Sequence, residues 1–426
     1  MSNRATITKT TADEIDKIRL NLADDWKALR VVYDLLHNEK AFCVSEADRD
    51  AVKIVHFMQP DELRFITRIR PRDTYSTSIF TNRYGLVLAR YSRHPDVKTA
   101  GMFGMRPLVL FTSEESHYSF IKAAHWLGLG ADNCVVVKTN EYGQMLPTDL
   151  EAKIVKAQEA GHEPFFVNAT AGTTVLGAFD DLNATADVCE KYGLWLHVDA
   201  CLGGSALLSY ENRHLLAGLE RTNSFAWNPH KSLGAPLQCS LFITRERDLL
   251  SRCNSTQVNY LFQQDKFYDV SYDTGNKSIQ CGRKIDAFKF WLMLKARGYG
   301  SFGRLLDHGI NISKVLIKKI KQRGSDRFRL VLDDFQYMNV CFWYIPKALR
   351  GLEETDEWRE RLFTVAPKIK ERMAYSGTVM IGYTPLQYRG LGNFFRMVFT
   401  CFPVLEEPEL DCILDEIERL GEECEY

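Results

Sequence analysis

Between residues 107 and 244 the chain carries a series of short, near-continuous apolar runs: PLVLFTS, CVVVKT, PFFVNAT, LWLHVDA and QCSLFIT. Amphipathic stretches such as TDLEAKIVKAQEAG and LNATADVCEKYG lie between several of them. A strand that is apolar along its whole length, rather than at alternate residues, is buried on both faces. Such strands alternating with helices build a mostly parallel sheet in an α/β layer sandwich. Buried helices are the competing reading, and the short run lengths and the Gly and Pro punctuation weigh against it.

The two flanks follow other rhythms. Within residues 11–65, ADEIDKIRLNLADDWKALRVVYDLL has apolar residues at three-and-four spacing and predicts a polar helical segment. The join at about 66–80, TRIRPRDTYSTSIFTN, shows neither a clean period nor a turn signal. Past residue 283, the helical stretches KIDAFKFWLMLKARG and RLLDHGINISKVLIKKIKQRG lead to the strands FRLVLDD, MNVCFWYIP, TVMIGYTP and NFFRMVFT. The helix PELDCILDEIERLGEE follows. The expected division is an N-terminal helical segment over 1–80, a large α/β domain over 81–300 and a small C-terminal α+β domain over 301–426.

Composition removes several functions. Lys and Arg number 54 against 55 Asp and Glu, a net charge of −1, so the positive field of a nucleic-acid or acidic-membrane binder is missing. The 11 cysteines are scattered from Cys43 to Cys424 without a CxxC pair, which predicts neither a disulfide framework nor a metal site. MSNRATITKTTADEIDKIRL has no apolar core of a secretory signal, and no run of 18 apolar residues occurs, so a cytoplasmic chain is expected.

In an open parallel sheet ligands bind outside the carboxyl ends of the strands. The residues there are His117 in EESHYS, Thr173 and Thr174 in AGTT, Asp199 closing LWLHVDA, and His230 and Lys231 in AWNPHKS. Singly, each has an ordinary structural reading: a satisfied histidine, a capping aspartate, a solvated lysine. Their order on consecutive strand ends, with 32 residues from Asp199 to Lys231 for one crossover, favours a shared site.

These motifs resemble the group II pyridoxal 5′-phosphate (PLP) decarboxylases, on the aspartate-aminotransferase-like fold (fold type I). The similarity runs from about Tyr84 onwards, through LFTSEESHYS, NATAGTTVLGAFD, GLWLHVDACLGGSALLS, AWNPHKSLGAPLQCS, YLFQQDKFYDVSYDTG and NFFRMV. It is strongest to the acidic-amino-acid enzymes: glutamate, cysteine sulfinic acid and insect aspartate 1-decarboxylases. QQDKFYDV is similar to the cysteine-sulfinate and aspartate branch.

The resemblance implies roles residue by residue. Lys231 would bind PLP covalently, and Asp199 would face its ring nitrogen. His117 would stack on the ring, and Thr174 would contact the cofactor. Asn228 and His230 would lie near the phosphate, and Cys201 would stand under the ring where many relatives have Ala. Arg396 would bind a substrate carboxylate as a planar fork. Tyr268 would protonate the α-carbon from a loop that crosses a homodimer interface, which favours decarboxylation over aldehyde formation. The implied reaction is α-decarboxylation of a small acidic amino acid, aspartate or cysteine sulfinate ahead of glutamate.

One segment departs from the family pattern. VKIVHFMQPDELRFI and RYGLVLARYSRHPDVKTAG resemble family segments that relatives separate by many tens of residues, including a Gly-Gly-Ser-type phosphate loop. Here about fifteen residues join them, with the hydroxyls of Ser78 and Thr81 and a helix expected to start near Asn82. Two readings therefore stand: an active decarboxylase, or a catalytically impaired paralogue or isoform that pairs with a full-length one.

Overall fold

The apolar runs of the first half pair into one seven-stranded sheet. Its strands are β1 (Asp73–Ser76), β2 (Leu108–Ser113), β3 (Cys134–Val137), β4 (Glu163–Thr170), β5 (Trp195–Ala200), β6 (Ser224–Trp227) and β7 (Leu241–Thr244), in the order β1-β7-β6-β5-β4-β2-β3. Strands β2 to β6 run parallel, while β7 and β1 add an antiparallel edge. The computed structural model describes residues 73–76, 81–256, 263, 265–267, 274–279, 286–400 and 404–425. Ser78, Tyr268 and nearly all of the expected 1–80 segment lie outside these.

Central strands β2, β4 and β5 are buried along their entire length, as continuous apolar runs require. The edge strand β3 is not: Val136 is exposed, although CVVVKT reads like its neighbours. Helices α1 (Thr81–Arg93) and α2 (Ser119–Trp126) cover one face of the sheet, where Leu86, Leu88, Phe120 and Ala123 pack on Leu110, Phe166 and Phe242. Helices α3 (Pro147–Glu159) and α4 (Leu182–Tyr192) cover the other, against Val109, Phe111, Val167 and Leu196. Helix α4 has a clear start and stop: the Asp181 side chain accepts from the Ala184 amide, and Gly193 closes it with a positive φ of 63°.

The connection from β6 to β7 holds a single helical turn, α5 (Pro229–Ser232), and α6 (Leu249–Asn254) follows β7. Next come α7 (Asp286–Arg297) and α8 (Tyr299–Arg323). A second, antiparallel sheet contains β8 (Phe328–Leu330), β9 (Asn339–Tyr344), β10 (Gly382–Leu386) and β11 (Leu391–Val398), ordered β10-β11-β9-β8. Helices α9 (Asp356–Ser376) and α10 (Glu407–Glu422) pack on it. Helix α8 links the two halves, its Gly303 lying against the Leu208 carbonyl and its Gly309 against Met338. The larger apolar core is correspondingly continuous from one sheet to the other.

Candidate active site

Period two along LWLHVDA sends Trp195, His197 and Asp199 to one face of β5, and Leu196, Val198 and Ala200 to the other. The first set faces α1. That helix comes so close that a Cβ on Gly85 would stand 2.9 Å from Nδ1 of His197, so glycine is required there. Asn82 lies one turn earlier on the same buried stripe and donates from Nδ2 to Asp199 Oδ2 at 2.8 Å. After β4, Gly172 turns with φ +83°, and a Cβ on it would be 2.7 Å from the Gly203 amide nitrogen. The AGTT turn and the segment after Asp199 are thereby held in backbone contact.

A cavity of about 130 Å³ opens beside the carboxyl ends of β5 and β6. It is lined by Thr81, Asn82 and Arg83 from the first turn of α1, and by His117 and Ser119 beyond β2. Asp199, Cys201, Asn228 and Lys231 complete it. An engineered cavity of roughly 150 Å³ holds a benzene molecule, so this one has about the room of an aromatic ring.

Its electrostatics are set by one buried anion. Burial pushes the Asp199 carboxyl up, but the Lys231 ammonium, the Cys201 thiol and amide, and His117 outweigh it and hold the carboxyl below its usual range. The Cys201 amide donates to Asp199 Oδ1 at 3.1 Å. His117 is lowered chiefly by burial and further by Lys231 and Lys122, with Asp199 opposing, which favours the neutral ring. The fully buried Cys201 thiol is raised well above its normal value by burial first and Asp199 second, so it stays protonated.

The expected residues are only partly brought together. Asp199, Lys231, His117, Cys201 and Asn228 share the cavity. His230 lies next to Lys231 on α5, but its Nδ1 is 2.6 Å from the Cys239 carbonyl. Thr174 is exposed in the AGTT turn, where its carbonyl accepts from Asn339; buried Thr173 accepts from the Ala178 amide. Arg396 stands half-buried on β11, facing Cys341 of β9 and Gly382 of β10 in register. Among the described residues no hydrogen bond or ion pair reaches its guanidinium. Tyr268 lies outside the described residues.

Asn82 escaped the sequence reading as a site residue. Its signal is a polar side chain on the inward stripe that Gly85, Leu86 and Ala89 continue at helical spacing.

The pyridoxal-dependent decarboxylase conserved domain matches residues 74–345. The chain belongs to the pyridoxal-dependent decarboxylase family. It is 51% identical over 344 residues to cysteine sulfinic acid decarboxylase of Mus musculus, covering 80% of this chain and 69% of that protein. It is 50% identical over 344 residues to acidic amino acid decarboxylase GADL1 of Bos taurus, covering 80% and 65%. The crystal structure of mouse CSAD in apo form superposes with a TM-score of 0.82 at 46% identity, over 88% of this chain and 77% of that one. Tryptophan decarboxylase of Catharanthus roseus, at 24% identity and a TM-score of 0.73, shares the fold.

Membership makes this decarboxylase a PLP-dependent carboxy-lyase of fold type I. The residues present fit that cofactor. The cavity is ring-sized and pairs a buried carboxylate with a lysine. Asn228 Oδ1 is buried with no hydrogen-bond partner among the described residues. The first turn of a 13-residue helix also lines the cavity, and helix N-terminal amides favour a phosphate.

Proposed function

We propose that the chain removes the α-carboxylate of a small acidic amino acid, cysteine sulfinate or aspartate in preference to glutamate, yielding the amine and carbon dioxide. The observation that carries this reading is the convergence of Lys231, Asp199 and His117 on one ring-sized cavity at the strand ends. Relatives at 50–51% identity that are named for cysteine sulfinic acid and acidic amino acids support the substrate class.

PLP, when bound, supplies an electron sink for the pair left behind by carbon dioxide. Lys231, at the cavity wall, would hold it covalently. Asp199, kept ionised in spite of its burial, would retain a proton on the ring nitrogen. His117, whose neutral form burial favours, lines the cavity and would stack on the ring face. Cys201 offers a small, protonated side chain that packs without adding charge. Asn228, which lines the cavity, would lie near the phosphate, and His230, whose Nε2 is left open by the Nδ1 contact to Cys239, would support it from the next position on α5. Thr174, exposed in the AGTT turn and outside the cavity lining, would contact the cofactor only from that turn, as the family resemblance implies.

Arg396 receives a substrate carboxylate. A guanidinium that is half-buried and has no anion of its own among the described residues is costly unless a ligand supplies one. Tyr268 returns a proton to the α-carbon, a role resting on its place in DKFYDVSYDTG. Residues 81–300 carry the cofactor, 301–426 carry the anion receptor, and the enzyme works as a homodimer in the cytoplasm. Among the described residues, no helix is long and apolar enough to cross a membrane.

A second reading, an impaired chain that partners a full-length enzyme, is favoured by the short 66–80 join without Gly-Gly. One assay separates them: carbon dioxide release by the purified protein with PLP, offered cysteine sulfinate, aspartate and glutamate. Turnover of either of the first two supports the enzyme. Silence on all three contradicts it and leaves the partner reading.

A further inference from the structure

We infer that Asn82 is a positioning residue that aims Asp199 into the cavity, as the last link of a buried hydrogen-bond chain that starts at Trp195. This rests on the reading that Asp199 faces the ring nitrogen of PLP.

The links run between buried side chains. Trp195 Nε1 is 2.9 Å from Ser224 Oγ, and Ser224 Oγ is 2.9 Å from His197 Nδ1. His197 Nε2 is 3.3 Å from Asn82 Oδ1, and Asn82 Nδ2 is 2.8 Å from Asp199 Oδ2. Side chains on one face of β5 supply three members, and Ser224 is the register partner of His197 on β6. His197 is fully buried, with the rings of Phe166 and Phe242 stacked around it at 5.7 and 6.1 Å.

The two ends determine everything between. An indole N–H can only donate and a carboxylate can only accept. Asn82 must therefore turn its amide nitrogen to Asp199 and its oxygen to His197. That oxygen needs a donor, so His197 carries its proton on Nε2. Its bare Nδ1 then accepts from the Ser224 hydroxyl, whose oxygen accepts from Trp195. The opposite polarity would set the Asn82 oxygen against the carboxylate. Burial, which lowers the His197 pKa to about 4, keeps the ring neutral as this arrangement demands.

The consequence is a carboxylate fixed before any cofactor arrives. Asn82 holds Oδ2 and the Cys201 amide holds Oδ1. The intervening links are neutral, so they polarise toward Asp199 without burying a second charge. Preorganised supports of this kind commonly change affinity by roughly 10–100-fold when removed, as the outer-shell partners of metal ligands do.

The test measures PLP dissociation constants for the full chain and its variants, and the tautomer of His197 in ¹⁵N-histidine-labelled apoprotein at neutral pH. Asp199→Asn weakens PLP binding, and Asn82→Ala and His197→Ala weaken it by roughly tenfold or more. His197→Gln, whose amide can donate to Asn82, binds within a few-fold of the parent. The NMR signal lost in His197→Gln is that of a neutral ring protonated on Nε2. A ring protonated on Nδ1 overturns the inference even where a variant fails to fold. So does parent-like binding by Asn82→Ala while Asp199→Asn is weakened. Parent-like binding by Asp199→Asn removes the underlying reading of Asp199, and the inference falls with it.

Discussion

The Tyr388 hydroxyl donates to the buried carboxylate of Glu115, joining residues 273 positions apart. Glu115 stands two residues before His117, and Tyr388 lies in the turn between β10 and β11, so the bond ties the small sheet to the loop beside the cavity. Burial raises the Glu115 carboxyl, while Tyr388 and Arg389 oppose that shift. Arg389 also donates to the carbonyls of Asn140 and Glu141, at 2.8 and 2.7 Å. Tyr388→Phe leaves a buried carboxylate short of a donor, an effect of about 1–3 kcal/mol. Chemical denaturation is expected to show that loss, and a Tyr388→Phe/Glu115→Gln double mutant is expected to lose less than the sum of the singles.

Arg396 gives a kinetic prediction. With no anion bonded to it among the described residues, its removal breaks no internal ion pair and acts on substrate. Arg396→Met is expected to leave the melting temperature nearly unchanged and to lower kcat/KM by about tenfold or more, as befits a lost charge-assisted bond of roughly 1.5–3 kcal/mol. Steady-state rates on cysteine sulfinate and aspartate check this. Unchanged kcat/KM excludes the arginine from binding.

His197 makes stability depend on pH with a defined sign. Unfolded, it takes up a proton below its ordinary pKa of 6.5; folded, only below about 4. Between those values the unfolded state binds more protons, so stability falls as pH falls through that window, by on the order of 3 kcal/mol for this group. Melting curves across the range are expected to show a flatter acid limb for His197→Gln than for the parent.

Close approach of α1 to β5 is tested at Gly85. An added methyl meets the His197 ring at 2.9 Å, with Phe166 and Phe242 stacked around that ring. Gly85→Ala is expected to cost about 1–3 kcal/mol by overpacking, despite alanine's better helix propensity. A more stable Gly85→Ala protein would contradict this packing.

Much of this architecture is legible in the residues, where one periodicity dominates. LWLHVDA and PFFVNAT read as buried strands, and the parallel sheet puts Asp199 and Lys231 at one edge. Other elements are hidden for physical reasons. SFAW is too short to stand out, yet it is β6, held between β5 and β7 by pairing that only the assembled sheet provides. Helix α9 carries Pro367 in its interior, a residue that reads as a breaker, while Trp358, Leu362, Val365, Ile369 and Met373 fix it to the small sheet. Among site residues, Lys231 and Asp199 stand out through their motifs. Asn82 becomes meaningful only when α1 packs over β5 and brings it to a carboxylate 117 residues away.

The cavity beside Lys231 is where PLP would be held. The most direct measurement is the visible absorption spectrum of the purified protein after incubation with PLP and removal of free cofactor, alongside Lys231→Ala. A yellow band retained by the parent and missing from Lys231→Ala is the predicted result. A colourless parent, or a band that survives replacement of Lys231, would contradict it.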